Sequence, residues 1–505
     1  MRTGTLLAFL IPGALAAQAP VWQWATALRG STNVYIDEVI GSTLNGCFVS
    51  GYCYGDLYLP FDTLQANDGQ GDHFVVHVDS LGVPDRVVRS TVPVASMIPT
   101  ANGGLSCRYI VQGSVVVNGT TLTSAPGSSG IGMATFDSGG TQTAIGSLDN
   151  VIEGGFMIPI WCAHQEAAGM VLATFVTDSL RVDGEWLYGW GIVLVRLSDL
   201  GVVEWHTQLE ATEFYFFSGL HLSTNGKSLI CVSDVAGDTR IISYSTGSDP
   251  DWWTELYGRD TMEPVPMARR PDDRVLLGAA FSTSPPDGGT ALVVEEYESG
   301  GQLVNSSWAS EPQLWNNAIR SVHDLPDGGA LVAGYQNGLL TFGPLVQNTT
   351  GPDGFVGHIG PDGQWDWVTR ETLGNVFGLR AAPGLNTRIY CAGTSDTGAQ
   401  FGAHTLPFPS GGMYGVVACL GDITLSTPEQ HAQDIRTLRT WPNPAQDLLH
   451  LSGDAQGAVR IVDLLGRDHS TEVRWRDAYT LDVSTLRSGV YVVQRGRSRT
   501  VFIKA

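Results

Sequence analysis

Ile36-Asp37-Glu38-Val39-Ile40 leads through a turn into Gly46-Cys47-Phe48-Val49-Ser50-Gly51. After a loop the chain continues as Phe74-Val75-Val76-His77-Val78, turns at residues 79–82 and ends the passage near Val87-Val88. Four short runs of β-branched and aromatic residues, separated by Gly, Asn, Asp and Pro, read as one up-and-down meander of four strands. The same order returns further on. Gly328-Gly329-Ala330-Leu331-Val332-Ala333-Gly334-Tyr335 matches the second strand and Phe355-Val356-Gly357-His358-Ile359 the third. Pro361-Asp362-Gly363 makes the turn, and Trp365 and Trp367 lie on the fourth strand.

Weaker copies of the second strand lie at residues 107–113, 170–175, 229–233, 275–279 and 389–393. Copies of the third lie at 133–136, 193–197, 241–244, 292–297 and 416–420. The turn glycines run from Gly82 to Gly421 in six steps of about 56 residues, a period that suits a four-stranded unit with one long loop. Seven such units between residues 21 and 425 predict an all-β fold, a seven-bladed β-propeller. A lone meander cannot bury both faces, so the units must stack about an axis. Stacking accounts for strands such as residues 74–78 being apolar at nearly every position. The seventh unit has no Trp-bearing fourth strand of its own. Val21-Trp22-Gln23-Trp24-Ala25 is an unpartnered strand of the missing kind and is expected to pair there, removing the open edge.

The composition agrees. The 505 residues include 62 Gly and are only 15% charged, and Gly is costly inside helices. A net charge of −22 excludes a nucleic-acid partner, because phosphate binding rests on an excess of Lys and Arg. Residues 436–505 carry 11 Lys+Arg against 7 Asp+Glu, whereas the remainder carries 17 against 43. Segments of such different balance are different domains. The seven cysteines form no C-x-x-C pair and mostly sit in apolar runs, as small buried hydrophobes do. Arg2, an apolar run over residues 6–15 and Ala14-Leu15-Ala16 read as a signal peptide over residues 1–16. No apolar run reaches transmembrane length.

Gly71-Asp72-His73-Phe74-Val75 and Asp353-Gly354-Phe355-Val356, each followed by an Asp- or Pro-x-x-Gly turn, resemble bacterial β-propeller repeats. That resemblance implies a fold and no particular activity. After a polar linker at 426–440, residues 441–505 read as short strands, enough for a small sandwich. They carry Trp441-Pro442-Asn443-Pro444, then Asp463-Leu464-Leu465-Gly466-Arg467, then Leu486, Gly489 and Tyr491, and a final strand with Lys504. In that order these marks resemble the type A sorting domain of the type IX secretion system of Bacteroidota. The resemblance implies export through the periplasm, recognition by the secretion machinery at the outer membrane, and release or surface attachment. A carbohydrate-binding accessory sandwich is the alternative.

Concentrated chemistry is absent from the sequence. His73 and His77 lie on one side of a strand about 13 Å apart and cannot chelate one ion. His77 and His358 occupy equivalent repeat positions that elsewhere hold Thr135, Arg196, Ser243, Glu296 and Cys419, as a tolerant position would. Asp-Gly clusters at residues 68–72, 287–289, 327–329 and 353–354 read as hairpin turns. Calcium is the one ion they suit, and no other cofactor is implied. Trp24, Trp205, Trp252 and Trp367 recur on the fourth strand and read as packing between units. The non-periodic Trp186, Tyr188, Trp190, Phe214 and Tyr215 are the candidates for a binding surface. The reading is an exported, non-catalytic binding or scaffold protein with an extracellular glycan or protein ligand. A secreted polysaccharide hydrolase or lyase is the alternative. Paired carboxylates flanking the central mouth would favour the enzyme.

Overall fold

The computed structural model describes residues 19–504, apart from 45, 66–70, 154–160, 166–168, 177, 199–200, 211–215, 223–225, 234–238, 246, 257–258, 261–264, 283–289, 311–316, 372–373, 408–411, 422–438, 442–443, 453–458, 464–466, 468, 477–479 and 496–497. The expected signal peptide and linker lie outside the described residues, the linker but for Arg439 and Thr440. Two compact units divide the chain, Met1–Asp422 and Ile423–Ala505. All of the named secondary-structure elements are strands.

In the first unit, Val34–Gly41, Cys47–Cys53, Asp72–Val78 and Pro84–Ser90 pair antiparallel in chain order. Similar groups of four open with the leading strands Val94–Pro99, Trp161–Gln165, Phe216–Leu222, Met267–Arg269 and Ala318–Asp324. The last group joins Val376–Pro383, Ile389–Ser395 and Tyr414–Leu420 to Trp22–Gly30, with Trp24 opposite Cys419 and Leu28 opposite Gly415. The amino-terminal strand therefore takes the place expected of it. Every residue of Ile389–Ser395 and of Tyr414–Leu420 is buried, so both faces of that sheet are covered.

Sheets extend beyond single groups of four. Hairpins between the second and third strands reach the fourth strand of the preceding group, pairing Tyr58 with Arg29, Val117 with Ser90 and Val182 with Ile152. Phe342 pairs with Ala309 in the same manner and merges the fifth and sixth groups into one sheet of nine strands. These hairpins occupy backbone groups of what would otherwise be an open edge. Asp353-Gly354 also departs from its expected place in a turn. It lies within the strand Leu345–Ile359, opposite Gln336 and Tyr335, because the second and third strands of this group run on as one long ladder.

Core residues gather between successive groups. Phe48, Val75 and Val88 of the first pack with Cys107, Tyr109 and Phe136 of the second. Comparable clusters join the second to the third, the third to the fourth, and so on to the seventh. A further cluster joins Trp24, Tyr390 and Cys419 of the seventh group to Val49, Phe74 and Val76 of the first. The recurring tryptophans sit at these junctions. A Cβ added to the turn glycine Gly82 would lie 2.7 Å from the Trp24 ring, and Trp24 Nε1 donates to Ser80 O at 3.0 Å. Gly301 holds the same place over Trp252. Both glycines have positive φ, 83° and 80°, so the turn and the ring beneath it each require glycine. Trp205 stacks on Tyr244 of the next group at 5.5 Å.

The repeat signature resolves into ion pairs across the third and fourth strands. Asp72 meets Arg89, and Asp353 meets Arg370, each at 2.5 Å with the carboxylate buried. At the opposite end of the hairpin His77 meets Asp85 at 2.6 Å, Arg196 meets Glu204 at 3.1 Å, and His358 meets Asp366 at 2.8 Å. In three of the seven groups this repeat position thus holds a basic group met by an acid eight residues on. All seven cysteines are free thiols, six of them buried.

The second unit contains two sheets. One orders Arg439–Trp441, Leu448–Ser452, Thr480–Asp482 and Arg474–Trp475, and the other Val459–Asp463, Gly489–Arg495 and Ser498–Lys504. Leu449, Leu481, Ile461, Val493 and Phe502 from the two sheets share one core. Ala445 N donates to Ile503 O at 2.7 Å and the segment bridges Lys504 in parallel, which anchors the last strand.

Candidate functional site

The leading strands carry charged residues in otherwise apolar runs, as in Ile36-Asp37-Glu38-Val39 and Ile319-Arg320-Ser321-Val322. Strand alternation alone would send neighbouring residues to opposite faces. Register shifts interrupt it at the same place in five groups, between Ile36 and Glu38, Val94 and Ser96, Phe217 and Gly219, Ile319 and Ser321, and Phe377 and Arg380. Such bulges re-aim side chains. Here they bring Asp37, Glu38, Arg320 and Arg380 to one cavity of about 450 Å³, which His221 and His323 also line. Val94, Leu220, Met267 and Val322 supply its apolar surface. Among the described residues, six of the seven groups contribute. Neighbouring groups are tied beside the cavity by Ile36 N donating to Thr394 Oγ1 at 3.0 Å and Ala381 N donating to Ser321 Oγ at 2.9 Å.

The cavity is electrostatically mixed. Loss of bulk solvation pushes the Glu38 carboxyl up to about 7; Arg380 opposes this and Asp37 adds to it. Asp37 is raised for the same leading reason, again against Arg380. Water touches both carboxyls through the cavity, but the protein around them leaves too little of it to solvate a full charge. His221 is driven down to about 4 by desolvation and by Arg269 and His323. His323 reaches about 4 by desolvation, against a hydrogen bond with the Ala381 backbone. At neutral pH the site therefore offers two guanidiniums, two neutral imidazoles and a Glu38 that both donates and accepts. Asp37 and Glu38 are the only carboxylates among its described lining residues.

None of these six residues stood out in the sequence. Their signal was a charge at the middle of a leading strand, which means nothing until six strands are laid side by side. The aromatic candidates fare differently. Trp186 and Tyr188 are exposed on Glu185–Tyr188, a hairpin partner of Ser179–Val182, with rings stacked at 6.2 Å and the Arg181 guanidinium 6.0 Å from Trp186. Exposed Trp190 follows, edge-on to Phe175 at 6.3 Å. Gln208 Nε2 donates to Tyr188 O at 3.1 Å and tethers the hairpin to the outer strand. Phe214 and Tyr215 lie outside the described residues. Also among the described residues, no three His, Cys, Asp or Glu groups gather as a metal site.

In the second unit, a cavity of about 730 Å³ is lined by Asp463, Arg467, His469, Glu472, Thr485, Arg487, Ser488, Gly489, Val490 and Tyr491. Asp463 Oδ2 accepts from Arg467 Nε at 2.7 Å, and Asp463 Oδ1 accepts from the Arg467 N–H at 3.0 Å. His469 lies 2.8 Å from Glu472 and 3.3 Å from Asp463, and both carboxylates raise its pKa. Pro442, Asn443 and Gly466 lie outside the described residues. Pro444 is exposed and Lys504 buried.

Residues 439–504 match the family of secretion system C-terminal sorting domains. The chain is thus exported, to be secreted or attached to the cell surface, and its partner at that step is the type IX secretion machinery. Among the described residues no helix is long and apolar enough to cross a membrane. No curated protein matches the chain. Similar solved structures include a protein of unknown function from Dyadobacter fermentans DSM 18053, at 10% identity over 79% of this chain and 98% of that one, with a TM-score of 0.37. A protein of unknown function from Bacteroides caccae has 12% identity over 56% and 81%, with a TM-score of 0.29. Sqt1 from Chaetomium thermophilum has 10% identity over 78% and 100%, with a TM-score of 0.36. Likenesses this faint carry no argument about activity.

Proposed function

We propose that residues 21–425 form a seven-bladed β-propeller, released by cleavage of a signal peptide at residues 1–16. We propose further that it acts outside the cell as a non-catalytic binding protein. The ring is supported by the chain of core clusters, which returns from the seventh group to the first. Binding is supported by one observation above all: six groups line a single cavity, and the leading strands of four of them turn polar residues into it. Its size and its few polar groups on an apolar lining suit a small polar ligand.

The competing enzyme reading requires two carboxyls flanking a scissile bond from two sides. Asp37 and Glu38 are consecutive on one strand and approach any ligand from one side. Screening the full chain against glycans and small organic acids should find a ligand. Its affinity is expected to fall at least tenfold in Arg320→Ala/Arg380→Ala, with no new reducing ends from any polysaccharide. Release of reducing ends lost in Glu38→Gln would replace binding by hydrolysis.

A further inference from the structure

The C-terminal cavity unites residues that the sequence scatters. Asp463 ends one strand and Arg467 follows it, and Gly489 and Tyr491 begin another more than twenty residues later, yet all four line the same hollow. Gly489 and Tyr491 are two apart on a strand and so share a face. A Cβ at 489 would reach ordinary van der Waals contact with the Tyr491 ring, at 3.5 Å, and Tyr491 lines the cavity as a buried residue. The ring itself is fixed. It stacks on Phe502 at 5.6 Å, meets His469 edge-on at 5.5 Å, and its hydroxyl donates to Arg487 O at 3.0 Å.

The charges divide into two sets. Asp463, Arg467, His469 and Glu472 satisfy one another and hold the wall in shape. Arg487 is exposed at the same cavity and makes no ion pair among the described residues. The surrounding segment is basic, with 11 Lys+Arg against 7 Asp+Glu over residues 436–505. A guanidinium of this kind beside an aromatic wall suits a carboxylate on a peptide, which it grips through two parallel hydrogen bonds.

We propose that this cavity is the surface by which the secretion machinery reads the domain, and that it receives an acidic segment of a protein partner through Arg487. The inference rests on export through this domain and is independent of the cavity in the first unit. Its test compares Arg487→Glu and Arg487→Lys in the full chain, produced in a cell competent for type IX secretion. Arg487→Glu should lower the exported fraction at least tenfold, with trypsin-resistant protein gathering in the periplasm, while Arg487→Lys retains most export. Unchanged export of Arg487→Glu would overturn the proposal.

A second measurement covers misfolding of the variant. The purified wild-type chain is titrated with a hexaglutamate peptide and, separately, with inorganic phosphate. Saturable binding of the peptide supports the proposal. Binding of phosphate alone would transfer the site to an anionic glycolipid, and binding of neither would leave the motif a purely structural role; both overturn it.

Discussion

Within one four-stranded group, the hairpin of third and fourth strands and the leading strand are built on opposite plans. The hairpin carries the repeated residues: Asp72 with Arg89 and Asp353 with Arg370, Phe74 and Phe355, the turn glycine, and the tryptophan beneath the next turn. The leading strand repeats only a bulge and a place in the lining, and fills them with Asp37 and Glu38, Arg320 or Arg380. Repetition therefore marks what joins one group to the next. The polar lining of the cavity sits where the copies disagree.

This contrast can be broken by experiment. Trp365→Ala should be the most costly change, about 3–5 kcal/mol in chemical denaturation. Trp365 is buried, lies edge-on to Phe342 at 4.9 Å, and its Nε1 donates to Trp308 O at 3.1 Å. A loss below about 1 kcal/mol would remove the hairpin's structural role. Arg370→Ala comes next, at about 2–3 kcal/mol, because it strands the buried Asp353 carboxylate. Measured beside it, Asp353→Asn/Arg370→Ala should recover part of that loss.

Titration of the leading strands should cost less, about 1–2 kcal/mol per group after screening by water in the cavity. His221 and His323 bind protons more weakly when folded, near 4, than when unfolded, near 6.5. Their contribution is present above pH 6.5 and is lost as pH falls through 4. Glu38 has the opposite sign. Its folded value is raised to about 7 from 4.5, so its contribution is complete below pH 4.5 and is lost as pH rises through 7. Denaturation midpoints from pH 4 to 8 should lose the alkaline slope in Glu38→Gln and part of the acid slope in His221→Asn. The smallest effect belongs to Arg320→Ala/Arg380→Ala, which removes the charge opposing burial of Glu38 and Asp37 and should cost about 1 kcal/mol or less while ligand binding collapses. A large stability loss there would return the leading strands to the scaffold.

The same contrast explains what could be read from the residues alone. Strand order, turns and the destination of Val21-Trp22-Gln23-Trp24-Ala25 were legible because period-two apolar runs and turn glycines are local signals. Trp186, Tyr188 and Trp190 were legible as a patch because they broke the period. The cavity was not, since each leading strand contributes only one to four lining residues and a bulge has no fixed sequence mark. Asp353-Gly354 misled for a related reason. Asp followed by Gly signals a turn in isolation, but Arg370 across the ladder neutralises the carboxylate and lets the pair stay extended. The C-terminal domain was the easiest part, because Asp463, Arg467, Gly489 and Tyr491 each serve a fixed geometric task.

The strand Trp22–Gly30 is made almost four hundred residues before its partner, Tyr414–Leu420. Such distant pairing is slow to form. Until it does, the nascent amino terminus and the Tyr414–Leu420 edge both stay unpaired and able to bind other copies. A carrier that keeps the polypeptide extended until synthesis is complete would suit this topology, and loss of residues 19–30 should shift the chain toward larger assemblies in size-exclusion chromatography through that exposed edge.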